Sequence, residues 1–252
     1  MIVIFDLDGT LLNTIADLGT ACNYALTQVG LPTIPAERYP SMVGNGINKL
    51  LERAIRAANV PSTCHLPTIS RLKEDFVPFY NEHNCDQTKP YEGIPELLAE
   101  LNAQGAFLAV ASNKYQEATE KIVNHFFPNT FDVILGEREG VPRKPDPTIV
   151  HDILASQAAL TALRSNGETI QQPEEVFYVG DSLVDIETAR NAGLPVIACS
   201  WGFVPKADLE AAKPDYLVDL PTEIIFLCKK IAENLRISKK KCTFATEMEN
   251  GA

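Results

Sequence analysis

Residues 1–12 have the sequence MIVIFDLDGTLL, in which an apolar run, Ile2–Phe5, is followed at once by Asp6, Leu7 and Asp8. The run has the length and composition of a buried β-strand. Two carboxylates one residue apart are unusual at the end of such a strand, because burying charge without a partner is costly. In open parallel sheets, ligands bind beyond the carboxyl ends of the strands. Asp6 and Asp8 therefore indicate a functional site at the edge of a parallel sheet.

Later runs share this continuous apolar character, and we predict further strands at Phe107–Ala111, Phe131–Leu135, Val176–Val179 and Pro195–Cys199. Continuous rather than alternating apolarity is typical of a parallel sheet that is covered on both faces. Amphipathic helical patterns lie between most of these strands. The alternation predicts an α/β fold with a Rossmann-like parallel sheet core and helices on both faces.

Between the first strand and Phe107 the pattern is helical only, which predicts a small all-helical domain inserted after that strand. Thr14, with Asp17 three residues later, has the spacing of an imperfect capping box that would begin the first of these helices. Residues 237–252 lack an apolar period, and we expect a mobile tail there. The predicted organisation is thus an α/β core from residues 1–14 and 86–236, a helical domain at 15–85, and the tail.

The composition is that of a globular protein, with 252 residues, 45% of them hydrophobic, and a formal net charge of −11. That charge argues against nucleic acid as a partner, and no apolar run is long enough to span a membrane. No basic residue precedes the first apolar run, so we expect no signal peptide. The six cysteines are scattered without a C-x-x-C pair, which favours reduced thiols in a cytoplasmic protein. The sequence carries no signal for the oligomeric state.

Small polar or acidic residues follow other predicted strands as well. Ser112 and Asn113 come after the second predicted strand, and Asp181 comes after the fourth. Because the carboxyl ends of parallel strands share one edge of a sheet, we expect these side chains to lie near Asp6 and Asp8.

Asp6, Asp8, Asp181 and Asp185 would form an acidic cluster whose like charges repel one another. A few carboxylates, with water and a substrate phosphate, are the usual surroundings of Mg²⁺. With the metal in place, one carboxylate can attack phosphorus and form an aspartyl-phosphate, while a second protonates the leaving oxygen and then activates water. A lysine can shield the negative charges, and Lys144 in RKPDP is the candidate. The pattern favours Mg²⁺-dependent phosphoryl transfer.

Four motifs in the sequence resemble those of the haloacid dehalogenase-like phosphatases, in the family's order: FDLDGT, ASN, the lysine of KPDP, and VGDSLVD. The chain is similar to the phosphoglycolate phosphatase branch of that family in VGNGINKLL, PYEGIPELLAEL, LGEREGVPRKPDPTIV and SWGF. The resemblance extends from Met1 to about Phe203, and the helical insert resembles the family's small cap. It implies a Mg²⁺-dependent phosphatase acting on a small phosphorylated metabolite, with 2-phosphoglycolate as the favoured substrate.

The resemblance also implies a role for each motif residue. Asp6 would be the nucleophile and Asp8 the general acid/base, while Lys144 would balance charge between nucleophile and phosphate. Magnesium would be held by Asp6, Asp181 and the backbone carbonyl of Asp8, with Asp185 supporting the metal or its waters. The substrate would be bound by Gly9, Thr10, Ser112 and Asn113. Apart from the resemblance, the helix start at Gly46 is a candidate to face the substrate from the cap, and a plain turn between two helices is the alternative.

Three alternatives stay open: a sugar-phosphate mutase similar to β-phosphoglucomutase, an inorganic pyrophosphatase, and a non-catalytic binding protein on the same fold. The chain departs from the branch at Asn13, where aspartate is common, and in the long polar segment 156–175. We expect Trp201 and Phe203 to pack in the protein rather than to contact a ligand.

Overall fold

Parallel strands build the main sheet of the protein, whose computed structural model describes residues 1–58, 67–156 and 176–230. The strands are, in chain order, β1 (Ile2–Phe5), β2 (Leu12–Asn13), β3 (Lys89–Pro90), β4 (Phe107–Tyr115), β5 (Val133–Glu137), β6 (Val176–Gly180), β7 (Val196–Cys199) and β8 (Tyr216–Val218). Six of them form one sheet in the order β5-β4-β1-β6-β7-β8, with parallel pairing throughout. Strands β2 and β3 form a separate short antiparallel pair.

Helices cover both faces of this sheet. They are α1 (Ile15–Gln28), α2 (Ile47–Ala57), α3 (Ile69–His83), α4 (Ile94–Ala103), α5 (Gln116–Phe126), α6 (Thr148–Ala155), α7 (Leu183–Asn191) and α8 (Lys206–Ala212), followed by helical residues 221–230. Successive residues of β1 are buried in different clusters, since Val3 packs with Leu97 of α4 and Ile4 packs with Ile186 of α7. The predicted α/β core is therefore confirmed, and β1 directs Asp6 and Asp8 to the carboxyl edge of the sheet.

Helices α1, α2 and α3 lie between β2 and β3 in the chain and pack on one another. Their buried side chains, among them Leu51, Phe76 and Tyr80, belong to the same hydrophobic cluster as the α4 side of the sheet. We call residues 15–83 the helical segment. Its packing places the start of α2 and the end of α3 beside the carboxyl edge of the sheet, where both contribute to one pocket.

The predicted capping box at the start of α1 is wrong. Thr14 is the N-cap residue, but its side chain makes no capping hydrogen bond. The Thr14 hydroxyl instead donates to Asp8 Oδ1 at 2.6 Å, and the Asp17 carboxylate accepts from the backbone N–H groups of Gln87 and Thr88. Local spacing predicted a local bond, whereas both side chains bind partners that the fold brings to them.

Strand β4 is longer than predicted and contains Ser112 and Asn113, which were expected after its end. Its register with β5 shifts between Ala111 and Tyr115, and α5 begins only at Gln116. Across this shift, the Asn113 side-chain amide accepts from the Lys144 backbone N–H at 2.9 Å and donates to the Lys144 carbonyl at 3.1 Å. These two hydrogen bonds tie β4 to the loop that carries Lys144.

Several expectations concern residues outside the described ranges, namely the tail at 237–252 and all but the first residue of the segment 156–175. Within the described ranges, Cys22, Cys85, Cys199 and Cys228 are free thiols, in line with the expectation for those four. No helix in the described ranges is long and apolar enough to cross a membrane.

Candidate active site

Three buried carboxylates meet at the carboxyl edge of the sheet. Asp6 follows β1, Asp181 follows β6, and Asp185 lies in the first turn of α7. One oxygen atom from each lies within 4.8 Å of the others. Gly9, at φ +91°, passes directly against the Asp181 carboxylate, and a Cβ at this position would overlap it. The three side chains can therefore converge only with glycine at this turn.

The Lys144 ammonium lies within this acidic cluster. Its Nζ donates to Asp6 Oδ1 and to Asp185 Oδ1, each at 2.8 Å, and also contacts the Ala111 carbonyl at 2.9 Å and the Tyr178 hydroxyl at 3.0 Å. Burial by itself would lower the pKa of Lys144, but Asp185 and Asp6 raise it well above its ordinary value. Lys144 is therefore a fixed positive charge beside Asp6.

The pKa values of two carboxyl groups are raised as well, which for an acid favours the uncharged form. Burial, followed by repulsion from Asp185, raises the pKa of Asp6 well above its ordinary value and that of Asp181 to about 7. Three carboxylates and one ammonium leave an excess of negative charge in a place that excludes water. A set of hard oxygen donors with this excess fits a divalent cation of the Mg²⁺ class.

Hydrogen bonds divide the carboxylates into two kinds. Asp185 is fully engaged, since Oδ1 binds Lys144 while Oδ2 accepts from the Ser182 backbone and hydroxyl in a capping box. Asp181 accepts from the Thr10 hydroxyl at 3.1 Å and from the Phe203 N–H at 2.7 Å. Asp6 Oδ2, by contrast, has no hydrogen-bond donor among the described residues. Asp6 is thus held through one oxygen and has the other available.

Asp8 lines the pocket at the carboxyl edge of the sheet together with Asp6. Its Oδ1 accepts from Thr14 at 2.6 Å and lies 3.1 Å from Lys114 Nζ. Lys114 also donates to the Tyr80 hydroxyl at 2.8 Å, so it connects the sheet edge to α3 of the helical segment. Lys114 was not among the predicted site residues, although its position directly after Ser112 and Asn113 was the available signal.

The predicted substrate-binding residues fall into different places. Ser112 Oγ accepts from the Lys114 N–H at 3.1 Å and lines the pocket. The Thr10 hydroxyl is directed at Asp181, and the Asn113 amide holds Lys144 and donates to the Gly44 carbonyl at 3.1 Å. Contact of Gly9, Thr10, Ser112, Asn113 or Gly46 with a substrate stays a prediction.

Gly46 brings the start of α2 close to the sheet edge. It precedes α2 with φ 79° and ψ 169°, a conformation restricted to glycine. A Cβ there would lie 3.1 Å from Arg143 Nη1 and 3.3 Å from the Asn113 carbonyl oxygen. The Arg143 guanidinium in turn forms a 2.6 Å ion pair with Glu137 at the end of β5. The absence of a side chain at Gly46 therefore allows α2 to approach the site.

A pocket lies between the sheet edge and the helical segment. Polar side chains at the sheet edge and apolar side chains of the helical segment face one another across it. Its lining residues are Asp6, Asp8, Ser112, Asn113, Lys114 and Tyr115 with Leu18, Val43, Gly44, Gly46, Ile47, Leu50, Phe76 and Tyr80.

Two further supports for the acidic cluster were not found by sequence reasoning. Tyr178, in the middle of β6, places its hydroxyl against Lys144 and, at 3.2 Å, against Asp185. Trp201 Nε1 donates to the Thr10 carbonyl at 3.0 Å, while the backbone of Phe203 holds Asp181. Trp201 is packed against the main hydrophobic cluster, as expected of it, but the loop that carries it also orients the site.

Comparisons with known proteins agree with this geometry. The family model for haloacid dehalogenase-like hydrolases matches residues 3–199. A phosphoglycolate phosphatase of Aquifex aeolicus is 30% identical over 90% of this chain and 95% of its own. An N-acetylmuramic acid 6-phosphate phosphatase of Pseudomonas aeruginosa is 31% identical over 88% of this chain and 92% of its own. A solved structure of a predicted phosphoglycolate phosphatase from Haemophilus somnus superposes with a TM-score of 0.77, at 30% identity, covering 90% of this chain and 96% of that one.

The family model spans more than half of the chain, and it includes the strand ends that carry Asp6, Asp8 and Asp181. The relatives that match over nearly their whole length are named as phosphatases. The chain therefore belongs to the haloacid dehalogenase-like hydrolases and is a phosphatase of that family.

Proposed function

We propose that this protein is a cytoplasmic, Mg²⁺-dependent phosphatase that hydrolyses a small phosphate monoester, 2-phosphoglycolate, through an aspartyl-phosphate at Asp6. One observation carries the proposal: Asp6 is fixed by Lys144 through Oδ1 and has Oδ2 free, next to a pocket that Asp8 also lines. A carboxylate held in this way is oriented for attack and needs no further activation by a base.

In the proposed reaction, Asp6 Oδ2 attacks phosphorus, and the bond between phosphorus and the ester oxygen breaks. Asp8 gives its proton to that oxygen, so the alcohol leaves neutral. Asp8 then takes a proton from water, which attacks phosphorus and releases inorganic phosphate, restoring the Asp6 carboxylate. Lys144 lies close enough to Asp6 to offset the charge that the two anions bring together.

The proposed metal site uses Asp6, Asp181 and the backbone carbonyl of Asp8, with Asp185 holding Lys144 and supporting the site. When bound, Mg²⁺ would supply charge neutralisation at the transferring phosphoryl group. Thr10 and the Phe203 N–H fix the orientation of the Asp181 carboxylate through one hydrogen bond to each of its oxygens. Ser112, Gly9 and Asn113 are the proposed phosphoryl contacts.

We further propose that the helical segment acts as a cap domain, with the division at residues 1–14, 15–85 and 86–236. Support comes from the pocket, which has Asp6 and Ser112 on one wall and Ile47 and Phe76 on the other. Closing this wall over a substrate would exclude bulk water while the phosphoryl group is transferred. Identical small-angle scattering with and without Mg²⁺ plus a phosphate-mimicking anion would contradict a large closure.

The substrate proposal rests on the relatives, several of which are named phosphoglycolate phosphatase. The Pseudomonas relative makes N-acetylmuramic acid 6-phosphate a second candidate. The test is inorganic phosphate release from these two esters, from pyrophosphate and from β-glucose 1-phosphate, with Mg²⁺ present. Fastest release from 2-phosphoglycolate is expected. Isomerisation of the sugar phosphate without net phosphate release would identify a mutase instead.

A further inference from the structure

Lys114 is a positively charged residue that lines the pocket between the sheet edge and the helical segment. The charged side chains that line it, among the described residues, are Asp6, Asp8 and Lys114, while Lys144 is held behind Asp6. The Lys114 side chain is only 4% exposed, so its charge is kept away from bulk water. A buried ammonium in a binding pocket needs negative charge close to it.

The protein supplies only part of that charge. Lys114 has three N–H donors, of which one reaches the Tyr80 hydroxyl at 2.8 Å and another faces Asp8 Oδ1 at 3.1 Å. Burial, and then Asp8, raise the pKa of the Tyr80 phenol well above its ordinary value, so Tyr80 is a neutral partner. The described residues offer no acceptor for the third N–H.

The proposed chemistry makes this deficit larger at the moment of reaction. Asp8 must carry a proton when it acts as an acid toward the leaving oxygen, and it is then uncharged. Lys114 would at that stage have no anionic partner in the pocket wall. A negative group on the substrate, close to the ester oxygen that Asp8 protonates, would restore the balance.

We propose that Lys114 is a specificity-determining residue that binds a carboxylate on the carbon next to the ester oxygen, so that the site selects phosphate esters of small 2-hydroxy acids. The placement fits, because Lys114 Nζ lies 3.1 Å from Asp8 Oδ1. In such an ester, a single carbon separates the carboxylate from the ester oxygen that Asp8 would protonate. The apolar wall formed by Ile47, Leu50 and Phe76 offers no competing hydrogen-bond partner from those side chains. The inference rests on the proposed function and names the residue that would select its substrate.

The test compares 2-phosphoglycolate with 2-hydroxyethyl phosphate, which replaces the carboxylate by an uncharged CH₂OH group. We expect the wild-type protein to prefer the acid in kcat/KM by about 10- to 100-fold, the range that a hydrogen bond to a charged group produces. Lys114→Met should abolish this preference by lowering kcat/KM for the acid while changing it much less for the alcohol. Lys114→Arg should retain part of the preference, and Lys229→Met, at an exposed ion pair with Glu100, should retain all of it.

Two results would overturn the inference. Equal kcat/KM for both esters in the wild-type protein would show that no carboxylate is recognised, and this comparison does not depend on any variant folding. An equal loss for both esters in Lys114→Met would show that Lys114 only orients Asp8 or binds the phosphoryl group. Failure of the proposed function is distinct, since the wild-type protein would then release phosphate from neither ester.

Discussion

Lys144 donates a 2.8 Å hydrogen bond to Asp6 although 138 positions separate the two residues in the chain. The same ammonium lies 2.8 Å from Asp185, so one buried positive charge serves two buried carboxylates. This shared partner orients Asp6 and, through Asp185, ties the loop before α6 to the first turn of α7. We therefore expect stability and catalysis to depend on the same atom.

Lys144→Met should destabilise the protein by about 3 to 5 kcal/mol, because it leaves Asp6 and Asp185 without their cation. Urea unfolding monitored by circular dichroism measures the change. Lys206→Met removes an exposed ion pair to Asp219 and should cost at most about 1 kcal/mol. Equal small losses in both variants would show that Lys144 has no special role in the acidic cluster.

Tyr178→Phe should lower kcat more than it changes KM, because the hydroxyl orients Lys144 without lining the pocket. The free energy of unfolding should fall by about 0.5 to 1.5 kcal/mol, the usual loss for one hydrogen bond. Steady-state kinetics with the best substrate separates the two parameters. Tyr216→Phe, on the edge strand β8, is the matched control. A variant with wild-type kcat would argue that Tyr178 is only a core residue.

The metal-free protein should lose stability as the pH rises. Asp181 ionises near 3.8 in its ordinary state but near 7 in the fold, where burial and then Asp185 raise its pKa. Between these two pKa values the folded protein holds a proton that the unfolded chain releases. The stabilising contribution is therefore complete below the unfolded-state pKa of 3.8 and is lost as the pH rises through the folded-state pKa of about 7. Asp6 shifts in the same direction.

Thermal unfolding in a chelating buffer from about pH 5 to about pH 8 measures this effect. Wild-type Tm should decline more steeply with pH than the Tm of Asp181→Asn, whose amide does not ionise. Added Mg²⁺ should raise the wild-type Tm most at the high end of the range, because the cation replaces the proton. Parallel curves for the two proteins would contradict the assignment of Asp181.

Gly46→Ala should reduce both stability and turnover. Its backbone conformation costs a non-glycine residue about 1 to 3 kcal/mol, and the new Cβ would press on Arg143 and the Asn113 carbonyl. Gly30→Ala is the control, because Gly30 also has a positive φ, of 74°, but nothing lies near its missing Cβ. Chemical unfolding and phosphate release should show a stability loss in both variants and an activity loss only in Gly46→Ala. Full activity in Gly46→Ala would mean that α2 does not need this close approach.

The acidic strand ends of the candidate site could be predicted because their signals are local. A continuous apolar run followed by Asp6 or Asp181 specifies a buried parallel strand and an acidic edge without knowledge of the neighbours. These features were predicted correctly as parts of one sheet edge.

The parts that were missed depend on residues distant in the chain. Tyr178 lies in an apolar run and resembles any core aromatic until the fold brings Lys144 to its hydroxyl. Lys114 follows the expected polar pair and resembles a solvated charge until α3 covers it. The capping box at Thr14 failed for the same reason, since Asp8 offered its hydroxyl a better partner. Sequence spacing records which side chains are polar, but not which distant group satisfies them.

The central claim is tested most directly by measuring inorganic phosphate release from 2-phosphoglycolate. The measurement compares the wild-type protein with Asp6→Asn, each with Mg²⁺ present and with the metal chelated. Asp152→Asn, at an ion pair with Arg138 outside the pocket, controls for the substitution. We predict metal-dependent release by the wild-type and control proteins and a loss of at least about a thousandfold in Asp6→Asn, whose amide cannot act as the nucleophile. Turnover by folded Asp6→Asn near the wild-type rate, or release that does not depend on the metal, would contradict the account.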